Sequence, residues 1–177
     1  MAIIFAPTQQ VSATHLMGGD LSYECLGNNQ YRITLRVYRD CNGINAASYE
    51  VMYMSANCGT GTQYMTKIST QEITPVCAGF TGTACNGGGG TYGIEEHVYQ
   101  TTMNIPATCT NIELYWRRCC RNGAITTLSS PLSERMYIET LLTDAAVCNN
   151  SPTFLNSPVS FICMGQPTDY NHGASDP

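Results

Sequence analysis

Charged residues are scarce in this chain. Asp, Glu, Lys and Arg make up 12% of its 177 residues, with eight basic residues against thirteen acidic ones. Eight basic residues are too few to build the dense positive surface that binds nucleic acid or an anionic membrane. The sequence also has no run of eighteen apolar residues, the minimum for a membrane-spanning helix. We therefore expect no nucleic-acid partner and no insertion into a membrane.

Motifs for catalysis and for metal binding are missing as well. The sequence contains no HExxH, no GxSxG and no CxxC pair. The histidines are His15, His97 and His172. Only Glu95-Glu96-His97 resembles an acid–base cluster, but successive residues of a strand face opposite sides, so a solvated strand face is the simpler interpretation. The sequence predicts that the protein is not an enzyme, with no catalytic, cofactor-binding or metal-binding residue.

Two loops have compositions that occur in ligand sites. Four glycines at residues 87–90 could cradle a phosphate, but no GK[ST] follows them, so an exposed loop is the better interpretation. Asp169 and Asp176 lie in a polar C-terminal tail of the kind that holds calcium in some extracellular modules. Two carboxylates are too few to define such a site, so calcium is the only cofactor left open.

Cysteine, by contrast, is abundant. The ten residues are Cys25, Cys41, Cys58, Cys77, Cys85, Cys109, Cys119, Cys120, Cys148 and Cys163. Their number is even, and they are spread along the chain rather than grouped at the spacing of zinc ligands. This pattern predicts that all ten form disulfides in an oxidising compartment. The short separation of Cys77 and Cys85 favours a bridge between these two.

The block Cys119-Cys120 is the most distinctive local feature. Because neighbours on a strand face opposite sides, we expect the two thiols to bridge to different partners rather than to each other. The nearby Arg117, Arg118 and Arg121 could bind an anion or a polysaccharide. Pairing with glutamates is the simpler interpretation.

The hydrophobic pattern has a period of two. In residues 30–39, Tyr31, Ile33, Leu35 and Val37 alternate with polar or outward positions, as in a half-buried strand. Residues 27–29, Gly-Asn-Asn, are typical of a hairpin turn. Strands are predicted at 20–26, 30–39, 48–56, 64–74, 93–105, 111–118, 124–128, 135–143 and 159–164. The sequence predicts an all-β fold, a disulfide-rich, immunoglobulin-like antiparallel β-sandwich of eight to nine short strands.

The sequence predicts two parts of the chain, with a boundary after residue 13. Residues 1–13 are apolar at first and end in Val11-Ser12-Ala13, which is acceptable to a signal peptidase. They are predicted to be the remnant of a signal peptide cleaved before Thr14, or else an N-terminal strand. Residues 14–177 are predicted to form a single β-sandwich domain.

Several blocks taken in order resemble a known family. They are residues 18–31, Tyr38-Arg39-Asp40-Cys41-Asn42-Gly43, residues 92–99, Cys119-Cys120-Arg121-Asn122-Gly123-Ala124-Ile125, Asn149-Asn150-Ser151-Pro152 and Tyr170-Asn171-His172-Gly173. Together they resemble the N-terminal module of large secreted surface proteins of Bacteroidetes, which continue into Ig-like or PKD-type repeats and a gliding-motility-associated sorting domain. The resemblance implies export to the cell surface, a structural or adhesive role, and other surface-protein domains or copies of itself as partners.

The sequence leaves three candidate functions. The first is a non-catalytic extracellular module of a cell-surface or filament protein, serving adhesion or architecture. The second is a carbohydrate-binding domain, since exposed Tyr and Trp can stack on sugars and the chain has eleven tyrosines. Trp116 does not support it, because its alternation with Ile112 and Leu114 predicts a core position. The third is a self-polymerising fibre subunit whose apolar N-terminal strand, with Ile3 to Phe5, completes a neighbour's sheet.

Overall fold

The computed structural model describes residues 15–77, 79, 82–87, 92–158, 162–165, 167–171 and 173–176. The fold is all-β, as predicted. The strands of this part of the chain are β1 (Leu16–Gly27), β2 (Gln30–Asp40), β3 (Tyr49–Ala56), β4 (Gly59–Glu72), β5 (Ile94–Asn104), β6 (Thr110–Cys119), β7 (Arg135–Asp144), β8 (Thr153–Phe154) and β9 (Ala174–Ser175). A helix with the length and apolarity of a membrane span is not found in the described ranges. The predicted signal-peptide remnant at 1–13 lies outside the described residues.

Seven strands form one antiparallel sheet in the order β1-β2-β5-β4-β3-β6-β7. The long strand β4 joins two layers: it pairs with β3 as far as Thr66 and with β5 from Thr66 onward, with a register shift between Lys67 and Ser69. One layer is β1-β2-β5 and the other is β3-β6-β7. Because β1 also contacts β7 on the far side, the sandwich is nearly closed into a barrel. A strand that passes between layers at an irregularity is a common way to make such a corner.

The core lies between the two layers and is built by the predicted alternation. Tyr31, Ile33, Leu35 and Val37 of β2 all point inward and are buried. Trp116 of β6 is 1% exposed, which confirms its predicted core position. The hairpin between β1 and β2 also follows the prediction, since Gly27, Asn28 and Asn29 have φ angles of 83°, 52° and 61°. Gly and Asn adopt this left-handed conformation at low cost.

Two predicted strands are not found. Residues 124–128 form turns, because the side-chain oxygen of Asn122 accepts a hydrogen bond from the backbone N–H of Ala124 at 2.8 Å and its carbonyl accepts one from Ile125 at 3.2 Å. Of residues 159–164, the first three lie outside the described residues and 162–164 are not in a strand. The C-terminal region instead forms the two-stranded antiparallel sheet of β8 and β9.

All ten cysteines are paired, as predicted. The bridges are Cys25–Cys148, Cys41–Cys85, Cys58–Cys109, Cys77–Cys163 and Cys119–Cys120. The predicted Cys77–Cys85 bridge is therefore wrong.

The physical reason is the pairing of β2 with β5, which are distant in sequence. Asp40 of β2 lies opposite Ile94 of β5, and the N–H of Cys41 donates to the carbonyl of Gly93 at 2.9 Å. Cys85 precedes β5 closely and is thereby placed over Cys41. Gly93 makes room for the bridge, since a Cβ at this position would lie 2.5 Å from the Cys85 sulfur. Local spacing does not reveal such a non-local contact.

Cys119 and Cys120 form a vicinal disulfide, so the expectation of two different partners is also wrong. The alternation argument requires both residues to lie on a strand. β6 ends at Cys119, and Cys120 already belongs to the following connection. Cys120 is buried while Cys119 is exposed.

Candidate functional site

A groove runs over the outer face of the β1-β2-β5 layer. Its first part is an open cleft of about 480 Å³ between these strands and the segment 154–158. It is lined by Gly18, Gly19, Asp20, Arg36, Tyr38, Glu96, Phe154, Leu155, Asn156, Ser157, Pro158 and Tyr170. Clefts of roughly 300–1,000 Å³ are typical of small-molecule sites.

Charged side chains form the floor of this cleft. Asp20 on β1 lies directly opposite Arg36 on β2, and the guanidinium contacts Asp20 at 3.2 Å and Glu96 of β5 at 3.9 Å. The Tyr38 hydroxyl donates to the second oxygen of Asp20 at 3.1 Å. Burial, followed by the charge of Asp20, raises the pKa of Tyr38 well above its usual value, so the phenol stays protonated and donating. Two carboxylates and one guanidinium give this floor a net negative charge.

The strands approach closely at the glycine end of the cleft. A Cβ at Gly19 would lie 2.6 Å from the carbonyl oxygen of Arg36 and 2.8 Å from the side chain of Ile138. Any larger residue would force β1 away from β2. Gly18 has no side chain to cover the Tyr38 ring beside it, so the floor stays open.

The opposite wall is held by the C-terminal segment. The Tyr170 hydroxyl donates to the Ser157 carbonyl at 3.1 Å, and the Asn156 side-chain amide donates to the Asn171 carbonyl at 2.6 Å. The rings of Tyr170 and Phe154 therefore stand at the cleft with 38% and 55% of their surface exposed. Aromatic wall and charged floor face the same space.

A second cleft, of about 490 Å³, continues the groove along β1, β2 and β5. Arg36 lines both clefts. The other lining residues are mostly neutral and polar: Ser22, Tyr23, Glu24, Arg32, Thr34, Ile68, Val98, Gln100, Asn150, Ser151 and Thr153. The Gln100 amide donates to the Thr34 hydroxyl at 3.1 Å, which fixes part of this surface.

The segment at 150–151 is fastened to the edge of β1. The Ser151 hydroxyl accepts from the Tyr23 N–H at 2.9 Å, and the Asn150 side-chain oxygen accepts from the Cys25 N–H at 2.8 Å. The Cys25–Cys148 disulfide lies beside these bonds. The rim of the groove is thus attached to the sheet by a covalent bond and by hydrogen bonds.

Glu95 and His97 belong to a different, inner cluster. Their side chains share one face, as predicted, with His97 Nε2 3.1 Å from Glu95 Oε2 and Nδ1 3.1 Å from the Thr70 hydroxyl. The predicted solvated face is wrong, because His97 is 3% exposed. Burial lowers the pKa of His97, with Lys67 and Arg39 acting in the same direction and Glu95 opposing them.

Arg39 closes this inner cluster and holds the β2–β3 connection. It is 5% exposed, bonds Glu95 at 2.6 Å and donates to the carbonyls of Gly43 at 2.6 Å and Ile44 at 2.5 Å. These bonds lie within the chain and leave little of the guanidinium for a ligand. The cluster is best described as a structural clamp.

One set of potential metal ligands occurs in the described part of the chain. The sulfurs of Cys41 and Cys85 and a carboxylate oxygen of Glu95 lie within 4.8 Å of one another. The two sulfurs are bonded to each other, however, and thiolates are what bind metal. Asp169 and Asp176 are not brought into any such set among the described residues.

Two of the three arginines near the vicinal disulfide have side-chain partners within the chain. Arg118 pairs with Glu50 at 2.8 Å, as predicted, and the same carboxylate accepts from the Trp116 indole at 3.0 Å. Arg117 lies over the ring of Tyr53, 4.9 Å from its centre. Within the described residues, the Nε atom of Arg121 is buried and has no hydrogen-bond partner.

Three tyrosines form a ladder on the outer face of the other layer. Tyr115 stacks on Tyr53 with ring centres 5.2 Å apart and on Tyr137 with ring centres 5.4 Å apart. Tyr137 also donates to Glu113 at 2.5 Å, and this bond raises the pKa of its phenol. Tyr115 is flanked by rings on both sides, and Tyr137, at one end of the ladder, is 50% exposed. The ladder stabilises the sheet, and the sugar-binding prediction from tyrosine content does not rest on it.

Sequence reasoning missed the groove. Asp20, Arg36 and Glu96 each occupy outward positions of alternating strands, but Glu96 lies on β5, which is distant in the chain from the β1–β2 hairpin that holds the other two. Comparison with models of protein families, with curated proteins and with solved structures finds no match. The resemblance to Bacteroidetes surface modules therefore stays a prediction.

Proposed function

We propose that this chain is a non-catalytic extracellular module of a cell-surface or filament protein, and that it serves adhesion or surface architecture. The observation that supports it best is the disulfide framework. Five bridges in a chain of this size indicate an oxidising compartment. They also provide covalent links that can carry a mechanical load.

The Cys25–Cys148 bridge is the main support for a load-bearing role. It joins residues 123 positions apart, near the two ends of the main sheet in sequence. A force applied on either side of the domain is carried in part by this bridge and in part by Cys77–Cys163, whose Cys77 lies in the connection between β4 and β5. The segment beyond it is held in turn by Cys77–Cys163. A module in which disulfides carry part of the tension suits a protein that links a cell to a surface.

The groove supports an adhesive rather than a catalytic role. Its carboxylates, Asp20 and Glu96, both contact Arg36, and Asp20 also accepts from Tyr38. Such paired groups present fixed donors and acceptors to a ligand. The related proposal of strand exchange between copies is less well supported, because segments of the same chain already bond the edge of β1 at Leu16, Tyr23 and Cys25.

Force spectroscopy tests the mechanical part of the proposal. The domain is placed between marker domains of known unfolding length and stretched with and without a reductant. Reduction should release about 400 Å of additional chain from the 123 residues enclosed by Cys25 and Cys148, at ~3.4 Å per residue. The C119A/C120A variant should behave like the unmodified protein. Release of the full length from the oxidised domain would contradict the proposal.

A test in the native host addresses the function itself. Cells producing the C25A/C148A variant and cells producing C119A/C120A are compared for detachment from a surface under flow. The first variant should detach at lower shear at equal surface abundance, because the sheet then bears the tension that Cys25–Cys148 carries in the unmodified protein. Equal detachment of both variants would argue against a load-bearing role.

A further inference from the structure

We propose that the groove over β1, β2 and β5 binds a linear, neutral oligosaccharide. The proposal deepens the adhesive function above and rests on it, because it assigns that function a ligand class. It depends on three properties of the groove: its charge, its lining and its shape. None of these follows from the tyrosine ladder, which lies on the other layer.

The charge of the first cleft disfavours ionic ligands of either sign, and in the second cleft Arg32 pairs with Glu24 at 2.7 Å. Asp20 and Glu96 leave the first cleft net negative, which repels phosphate, sulfate and uronate groups. Arg36 lies between the two carboxylates and in contact with both, so a cation would have to approach a guanidinium that already occupies that position. A neutral ligand avoids both penalties.

The lining suits a polyhydroxyl compound. A sugar hydroxyl donates one hydrogen bond and accepts others, so it pairs with adjacent carboxylate, guanidinium and amide groups. Asp20 and Arg36 offer such groups in the first cleft, and Thr34 and Gln100 offer them in the second. Phe154 and Tyr170 add partly exposed rings, which can pack on the apolar C–H face of a pyranose.

The shape favours a chain of sugars over a single one. The two clefts measure about 480 and 490 Å³, lie on the same face of β1, β2 and β5 and meet at Arg36, so they are neighbours along the strands. Each cleft lies within the size range of a small-molecule site. A linear oligomer fills both and binds more tightly than a monosaccharide of the same type.

Isothermal titration calorimetry tests the proposal with defined probes. Neutral β-glucan, xylan and mannan oligomers are compared with polygalacturonate oligomers, which are anionic, and chitosan oligomers, which are cationic. Variants F154A and D20N change the wall and the floor of the first cleft. The matched control Y64A removes an aromatic ring that is 66% exposed and lies away from the groove.

At least one neutral series should bind, with affinity rising from dimer to longer oligomers. F154A and D20N should each weaken binding roughly tenfold, equivalent to ~1.4 kcal/mol, while Y64A should not. Amide signals of Gly18 and Gly19 in an NMR titration should shift with the ligand. Three results would each overturn the proposal: no neutral oligomer bound at millimolar concentration, binding of charged oligomers only, or equal binding by F154A, D20N and Y64A. If these binding tests fail but the force experiment shows chain release only after reduction, the oligosaccharide proposal is wrong and the load-bearing function stands.

Discussion

Removing the Cys25–Cys148 bridge should destabilise the domain far more than removing the vicinal bridge. With the other bridges oxidised, the shortest loop that Cys25–Cys148 closes runs through Cys41–Cys85 and Cys77–Cys163 and has about 40 residues, which in the chain-entropy model stabilises the folded state by about 4 kcal/mol at 25 °C. Cys119 and Cys120 are one position apart, so their bridge closes almost no loop and contributes almost nothing by this mechanism. Since domains of this size have stabilities of about 5–15 kcal/mol, loss of the first bridge removes a large part of the total.

The comparison uses the double variants C25A/C148A and C119A/C120A, each with the other four bridges oxidised. Unfolding in guanidinium chloride is followed by the fluorescence of Trp116, the single tryptophan and a core residue. We expect a loss of about 2–5 kcal/mol for the first variant and less than about 1 kcal/mol for the second. Equal losses, or a larger loss for C119A/C120A, would show that loop length does not set the contribution of these bridges.

Three further predictions concern the buried polar groups. E50A should lower the free energy of unfolding by about 1–3 kcal/mol, because it leaves the buried indole N–H of Trp116 without an acceptor. E50Q keeps an acceptor and should lower it less, and denaturant unfolding measures both variants. R39K should lower the free energy of unfolding by about 1.5–3 kcal/mol and expose the connection at residues 41–47 to proteases, because Lys cannot bond at once the carbonyls that Arg39 holds. Unchanged proteolytic cleavage in this connection would contradict the prediction. Burial lowers the pKa of His97 in the folded state below 6.5, so the unfolded chain binds the proton more readily. The contribution of His97 to folding stability is therefore full above pH 6.5 and is lost as the pH falls below that value. The melting temperature should therefore fall more steeply between pH 7.5 and 5 for the unmodified protein than for H97Q. Melting temperatures that fall in parallel for the two proteins would contradict the lowered pKa of His97.

The strands could be predicted from the sequence because their signal is local. In β2, Tyr31, Ile33 and Leu35 must all face one side, and that requirement fixes a strand whatever its neighbours are. The same reasoning correctly placed Trp116 inside and the turn at residues 27–29. It failed at residues 124–128, where the side chain of Asn122 bonds the backbone and forms turns instead.

Contacts between distant strands could not be predicted in this way. Cys85 meets Cys41 because β5 pairs with β2, and no local pattern specifies that pairing. The groove has in part the same origin: Asp20 and Arg36 face each other in the local β1–β2 hairpin, but Glu96 comes from the distant strand β5 and Phe154 from the C-terminal region. Each residue was predictable as outward-facing, but their convergence depends on the sheet order. His97 shows the converse, since it lies opposite Val37 on the inward face of β5, where a polar side chain is buried although its residue type suggested a solvated face.

Both proposals require that this chain works outside the cell, held together by five disulfides. The thiol state of the protein in its native host tests that requirement. Cells are quenched in acid, free thiols are alkylated, and the bridged peptides are identified by mass spectrometry, in parallel with antibody labelling of intact cells. We expect no free thiol, the Cys25–Cys148 and Cys77–Cys163 peptides among the bridged species, and labelling of unpermeabilised cells. Reduced cysteines in a protein that antibodies reach only after permeabilisation would contradict an extracellular role.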